Sequence, residues 1–296
     1  MFKNIWYRFR RHPVSIIAIV VIAAISIGAG IAFLSPYDPY HSNIQEKLQP
    51  PSLAHPMGTD VLGRDVLTRV LYGGRRSLLI GLGVALISLV IGVPIGMAAG
   101  YYGGLIDSIL MRITDMFLSF PSIFVLILFS AILRETDVQL SDESETITVI
   151  FAIGVLSWMT IARLVRASFL YLKETEFIIA AHALGARNFR IITRHILPNA
   201  VGPIIVAATL GVAHAILTES GLSFIGFGIH PRTPTWGNML STAQSHIIKH
   251  PWTAIFPGLM IFITILAINY IGDGLRDSLD PHKIMKYSSK KYLIRS

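Results

Sequence analysis

Residues able to do covalent chemistry are the first thing to look for in this chain, and the usual sets are missing. Cysteine is absent, which excludes a thiol nucleophile, a thiolate zinc site and a disulfide framework. No glycine is followed by lysine, so the phosphate-cradling loop Gly-x-x-x-x-Gly-Lys-Ser/Thr cannot be present and ATP is not bound by that route. There is no His-Glu-x-x-His pair to hold a catalytic zinc. His182 and His195 read as interfacial histidines rather than metal ligands, and no catalytic, cofactor-binding or metal set emerges. Arg112 and Asp115, three residues apart, suit a local pair on one helix face. Asn269 and Asp273 read as helix-packing and terminal groups. His214 and Glu219 sit toward one end of an apolar run. Ionisable groups inside a membrane are costly and usually face the bundle interior or water. These two therefore either line a solute path at its outer mouth or lie among lipid headgroups.

The elements that position these residues are apolar runs. Hydrophobic residues make up 53% of the 296-residue chain, charged residues 14%, and mean hydropathy is +0.61. Soluble domains carry about 25% charged residues. The deficit marks a large lipid-facing surface and sets a soluble enzyme aside. Most of the excess basic charge flanks apolar runs, so it reads as topogenic rather than as a nucleic-acid surface.

Six spans are expected, each close to the roughly 20 residues that cross a bilayer. The first, residues 14–34, is longer than a signal-peptide core and has no cleavage site after it, so it reads as an anchor. Residues 35–60 are polar and proline-rich, an extended excursion. Residues 65–76 place Val66, Leu67, Val70 and Leu71 on one face among arginines, which predicts a short amphipathic helix on the membrane surface. The second span, 78–100, repeats Gly92, Gly96 and Gly100 at every fourth position, clearing one face for a close neighbour. The third, 109–133, contains Pro121 as an expected kink. An acidic loop with Glu135, Asp137, Asp142, Glu143 and Glu145 leads to the fourth, 147–164. The fifth is 198–218 and the sixth 252–271. Between the last two, residues 221–251 form a glycine- and proline-rich segment, either a plain loop or a partly re-entrant element at the outer mouth.

Of the 25 Lys and Arg residues, 17 fall on one side of this arrangement, which favours both termini in the cytoplasm. The exception is the arginine-rich stretch Arg64, Arg69, Arg75 and Arg76, which this rule leaves unexplained.

The longest cytoplasmic loop, 163–195, is the most informative. Within it Phe177, Ile178, Ala181 and Leu184 share a helical face, Gly185 suits a sharp exit, and Pro198 after Leu197 suits the first turn of the fifth span. A short helix over 176–187, opened by Glu176 and closed near Arg187, either rests on its own bundle or offers an apolar patch to another chain. The loop resembles the Glu-Ala-Ala loop of the membrane subunits of binding-protein-dependent ABC importers. Ala180, Ala181, Gly185, Leu197 and Pro198 match at the family's spacing, while Ile179 replaces the usual Glu and His195 the usual Ile. Residues 56–66, 221–226, 234–240 and 272–281, with the approach Arg8 to Pro13, narrow the resemblance to the second permease of the dipeptide, oligopeptide and nickel group.

That resemblance implies an all-α membrane protein with a five-helix permease core plus an N-terminal helix. It divides the chain into an N-terminal tail, span and external segment (1–60), a transmembrane core (75–280) and a basic cytoplasmic tail (281–296). It further implies a second permease subunit, two cytoplasmic ABC ATPase subunits that bind ATP and Mg, an external solute-binding protein, and surrounding lipid. The location would be a bacterial or archaeal inner or plasma membrane. The helix at 176–187 would sit in an ATPase groove, and the solute would be a di- or oligopeptide. A nickel chelate or other small solute is the alternative within this class. An ion-gradient transporter is the rival outside it, although neither an inverted repeat nor mid-span carboxylates support one.

Overall fold

The computed structural model describes residues 9–10, 12–135 and 141–279. Lys3, Arg8, Arg11, Asp137 and the basic tail 281–296 lie outside the described residues, as do the side chains of Arg134 and Glu135. All regular elements among the described residues are helical, with one isolated bridge between Thr59 and Asp65. Four helices are long and apolar enough to cross a membrane, and two bent helix pairs qualify when each pair is taken as one span.

Helix α1, Pro13–Gly30, starts on a proline whose missing N–H costs nothing in a first turn. It is tied to the far end of the chain by Ser15 Oγ, which donates to the Tyr270 carbonyl at 2.8 Å. Helix α2, Val66–Tyr102, is 37 residues long, about 55 Å at helical rise. Its first turn is capped by Asp65, which accepts the Thr68 amide and hydroxyl at 2.7 Å each. The separate surface helix expected over 65–76 is therefore the first three turns of this element. Nothing in the stretch breaks a helix: Gly73 and Gly74 are not a hinge but the place where Thr235 and Trp236 lean in. Because α2 exceeds the roughly 30 Å of bilayer hydrocarbon, its leading turns project beyond it and carry the 35–65 segment.

The glycine stripe does what its spacing predicts. A Cβ on Gly92 would lie 2.6 Å from the Trp158 carbonyl, one on Gly96 2.5 Å from that of Ala162, and one on Gly100 2.6 Å from Phe169 Cβ. Pro94 lies within α2 without ending it.

Helices α3 (Gly104–Ser119) and α4 (Ser122–Glu135) form the third run, bent by 74°. Phe120 is extended there, as a residue before proline must be, so Pro121 is the kink. Helices α5 (Asp142–Val155) and α6 (Trp158–Lys173) form the fourth, bent by 42°. Part of the acidic loop is thus helix: Ser141 caps α5, and Asp142, Glu143 and Glu145 lie in its first turn, where negative charge complements the helix dipole.

Helix α7, Glu176–Ala183, is the short element of the informative loop. Helix α8, Asn188–Phe224, carries the fifth run. Its residues Ile191–Ile196 are wound as a π-helix, with the Leu197 amide donating to the Ile192 carbonyl. Pro198 has no N–H to give the previous turn, and the wider winding just before it accommodates that loss. Helix α9, Trp236–Ala243, occupies the segment between the fifth and sixth runs, and α10, Trp252–Leu279, is the sixth.

Two buried clusters hold the bundle. Ile80, Val84, Leu126, Ile150, Ile153 and Leu222 join α2, α4, α5 and α8. Tyr101, Val165, Phe169, Ile178, Ile191 and Ile196 join α2, α6, α7 and α8. Outside, α2 exposes Leu79, Leu82, Leu86 and Val90, and α10 exposes Ile255, Leu259, Phe262 and Leu266, as helices solvated by lipid do.

Candidate docking helix and the opposite mouth

At one end of the bundle α7 is held by its own chain. Gly185, at φ +79°, ends it. The Gly185 amide donates to the His182 carbonyl at 2.9 Å and the Ala186 amide to the Ala181 carbonyl at 3.1 Å. This paired closure requires a left-handed residue, and glycine takes that conformation without steric cost. Ile178, 1% exposed, drops between Phe169, Ile191 and Ile196. Below it Tyr101 Oη donates to Asn188 Oδ1 at 2.9 Å and meets His182 Nε2 at 3.3 Å, while Lys173 Nζ donates to the Tyr101 carbonyl at 2.7 Å. Arg166 grips Asp107 through two nitrogens, which ties α6 to the start of α3.

The exposed side of α7 differs from the face grouped by spacing. Ile178 is the anchor rather than part of the patch, and Ala181 is half-buried. Phe177, Ile179, Ala180 and Leu184 face outward, Leu184 being 89% exposed, and Phe189 is exposed beyond the turn. Glu176 and Arg187 are also exposed and flank the patch in sequence; Leu197 is half-buried, and Pro198 is exposed at the foot of α8's regular part. Ile179, which takes the place of a common Glu, thus adds to an apolar surface. Phe189 escaped the sequence reading because it lies past the glycine, outside the helical period that grouped the others. His195 is half-buried in the π-turn, where its carbonyl accepts from Asn199 Nδ2 at 2.6 Å.

At the opposite end α9 packs across α2 and α8. Trp236, fully buried, donates through Nε1 to the Val70 carbonyl at 3.0 Å. Thr235 and Asn238 form a capping box at the start of α9. The Thr235 hydroxyl also donates to Glu219 Oε1 at 3.1 Å, and Ser223 Oγ donates to the same oxygen at 2.7 Å. Glu219 is fully buried, whereas His214 lies exposed on α8 and contacts Thr218. The two are not brought together, and Glu219 secures α9 instead of facing open space.

Here too lie three of the four arginines that the charge rule left over, Arg64, Arg69 and Arg76. Arg64 Nε donates to Asp60 Oδ2 at 2.7 Å, and Arg69, 2% exposed, lies 3.6 Å from the same carboxylate and donates to the Pro39 carbonyl at 2.7 Å. Arg76 reaches Asp142 at 3.6 Å and Thr146 at 3.0 Å. His55 Nδ1 sits 2.9 Å from Asp65. These three arginines brace the 35–65 segment and α5 against α2; they are structural, not topogenic. The ion pair expected between Arg112 and Asp115 is replaced by one from Asp115 to Arg163 across to α6.

Four long apolar helices and two bent helix pairs, packed as one bundle, define a helical membrane protein. Residues 92–284 match the family described as binding-protein-dependent transport system inner membrane component, and residues 1–51 match the N-terminal transmembrane domain of oligopeptide transport permease C. The chain belongs to the binding-protein-dependent transport system inner membrane component family. It is similar to a dipeptide transport system permease protein of Alkalihalophilus pseudofirmus, at 41% identity over 94% of this chain and 89% of that protein. It is also similar to a glutathione transport system permease protein of Pectobacterium atrosepticum, at 40% identity over 94% and 90% of the two chains. Among solved structures, a chain of the inward-facing MetNI methionine ABC transporter shares the fold, with TM-score 0.58 at 20% identity over 72% of this chain and 96% of that one.

Proposed function

We propose that this chain is the translocation subunit of an ATP-driven importer of di- or oligopeptides, with six spans and both termini in the cytoplasm. A second permease would complete the path, two ATPase subunits holding ATP and Mg would drive it, and an external binding protein would deliver the solute. The observation that carries the reading is α7: Ile178 and the contact of His182 with Tyr101 fix it to the bundle, while Phe177, Ile179 and Leu184 stand free on its outer side. A helix held this way transmits a push from a partner directly to α2, α6 and α8, all of which meet in the cluster around Ile178. Driving a bundle from 1:99 to 99:1 between two states takes about 5.5 kcal/mol of differential binding, within reach of ATP-dependent closure. Peptide as the solute is supported by the dipeptide and glutathione transport named for the relatives.

The test is uptake of a radiolabelled dipeptide by proteoliposomes containing the complex and supplied with binding protein. Uptake that needs internal ATP and is lost with Leu184→Asp supports the reading. Uptake driven by an ion gradient without ATP contradicts it.

A further inference from the structure

Arg75 is the one arginine of the 64–76 stretch without a partner. It is exposed and makes no ion pair or hydrogen bond among the described residues, while Arg76 beside it is taken up by Asp142. One turn before Arg75, on the same side of α2, Leu71 borders a cavity of about 260 Å³. Its walls are Ala24 and Gly28 of α1, Leu71 and Gly74 of α2, Met260 of α10, and Trp236. Every lining residue is apolar, and the one N–H among their side chains, on Trp236, is already committed to the Val70 carbonyl.

The cleft exists because α1 is held at its two ends by different neighbours. Near its start Ser15 bonds the Tyr270 carbonyl of α10, and near its end a Cβ on Gly28 would lie 3.3 Å from Leu71 of α2. Between these levels Ile22 closes the floor with Leu78 and Ile265. Ala24 is exposed and Ile25 and Leu71 are half-buried, so the cavity opens to the surroundings of the bundle. A polar boundary lies just above it, where the hydroxyls of Ser35 and Thr68 meet at 2.5 Å. Exposed Phe33 and Leu34 carry the apolar surface of α1 up to that pair, and Leu71 and Gly74 stand on the same apolar side of it along α2.

Helices in lipid associate through van der Waals packing, and an unfilled gap forfeits contacts on every wall. An apolar cavity of about 150 Å³ already stays dry and admits benzene, so this one selects an apolar chain over water. Around spanning helices the apolar chain at hand is that of a lipid. We propose that the cleft seats an acyl chain of an anionic phospholipid whose phosphate is held by Arg75. A guanidinium meets phosphate through paired N–H donors. Side chains on a helix lean toward its N-terminus, so Arg75 reaches toward the Thr68 boundary while the cleft deepens toward Ala24 and Ile22. Headgroup and tail are then disposed as in a bilayer leaflet, and the lipid joins α1 to α2 and α10 where their own side chains do not meet. The site is independent of the solute carried.

Native mass spectrometry of the purified complex, delipidated and then titrated in detergent with phosphatidylglycerol or phosphatidylcholine, reads this site. Ala24→Trp fills the cleft from an exposed position and should hold one phosphatidylglycerol fewer than wild type. Equal retention overturns the proposal. Arg75→Gln changes a side chain that the fold does not use. It should weaken phosphatidylglycerol binding about fivefold, the scale of one basic residue at an anionic surface, and leave phosphatidylcholine unchanged, with Arg75→Lys recovering most of the loss. No loss, or an equal loss for both lipids, overturns the headgroup contact. Loss of the second permease from the Ala24→Trp complex would show that a protein chain covers the cleft, which also overturns the proposal. Import driven by an ion gradient would defeat the function proposed above and leave the lipid site standing.

Discussion

Glu219 is a carboxylate sealed among hydroxyl groups, with no ion pair among the described residues. Its Oε1 accepts from Ser223 and Thr235, while Oε2 has no partner among them. Replacing it by Ala leaves two buried hydroxyls without their acceptor, a loss of about 1–3 kcal/mol. The purified complex should melt at lower temperature in detergent, and Glu219→Gln, which keeps an acceptor oxygen, should recover most of the difference. Equal melting of Glu219→Ala and wild type would show that this hub does not hold α9. Trp236→Ala removes a fully buried ring and its bond to the Val70 carbonyl, and should cost about 3–5 kcal/mol in the same assay. Neither role could be read from residue type. A glutamate near the end of an apolar run is equally suited to a solute path or a headgroup, and nothing in its residue type announces that Thr235 returns onto α8 and covers it. Ile178 makes the same point: spacing places it with Phe177 and Leu184, yet the turn at Lys173 to Thr175 rotates it into the core.

At the scale of elements, the long apolar runs and their breakers were legible because a single dominant force sets them. Lipid demands about 20 apolar residues per crossing, Pro121 forces an extended predecessor, and glycines at every fourth position clear a helix face. What stayed hidden were continuities. An arginine-rich turn reads as amphipathic and separate, but α2 runs through it because the charges are taken up by nearby Asp60 and by Asp142 and the Pro39 carbonyl, distant in sequence. These partners are what hold Arg64, Arg69 and Arg76 in place. The glycine stripe makes a graded prediction. Gly96→Leu drives a side chain into Ala162 and Val165 and should separate α2 from α6, abolishing recovery of folded complex, whereas Gly211→Ala on α8, where an added Cβ meets nothing within 4 Å, should be tolerated. Similar losses from both would mean that α2 and α6 are not in the close contact described.

In the whole molecule, α2 and α8 join the two ends of the bundle. One end presents α7, fixed through Ile178, Tyr101 and Lys173 to the helices that would have to move. The other carries α9, bolted to α8 through Glu219 and to α2 through Trp236. Under the proposed function a push at α7 would reach α2 and α8 directly, and these two helices also hold α9. The central claim is that α7 is where an ATPase engages. It is tested most directly by affinity capture of the tagged chain from detergent-solubilised membranes, comparing wild type with the surface variant Phe177→Asp/Leu184→Asp, which leaves Ile178 and the glycine closure intact. Wild type should bring down both an ATPase subunit and the second permease, and the variant should retain the permease and lose the ATPase. Full retention of the ATPase by the variant, or its absence from the wild-type complex, would contradict the account.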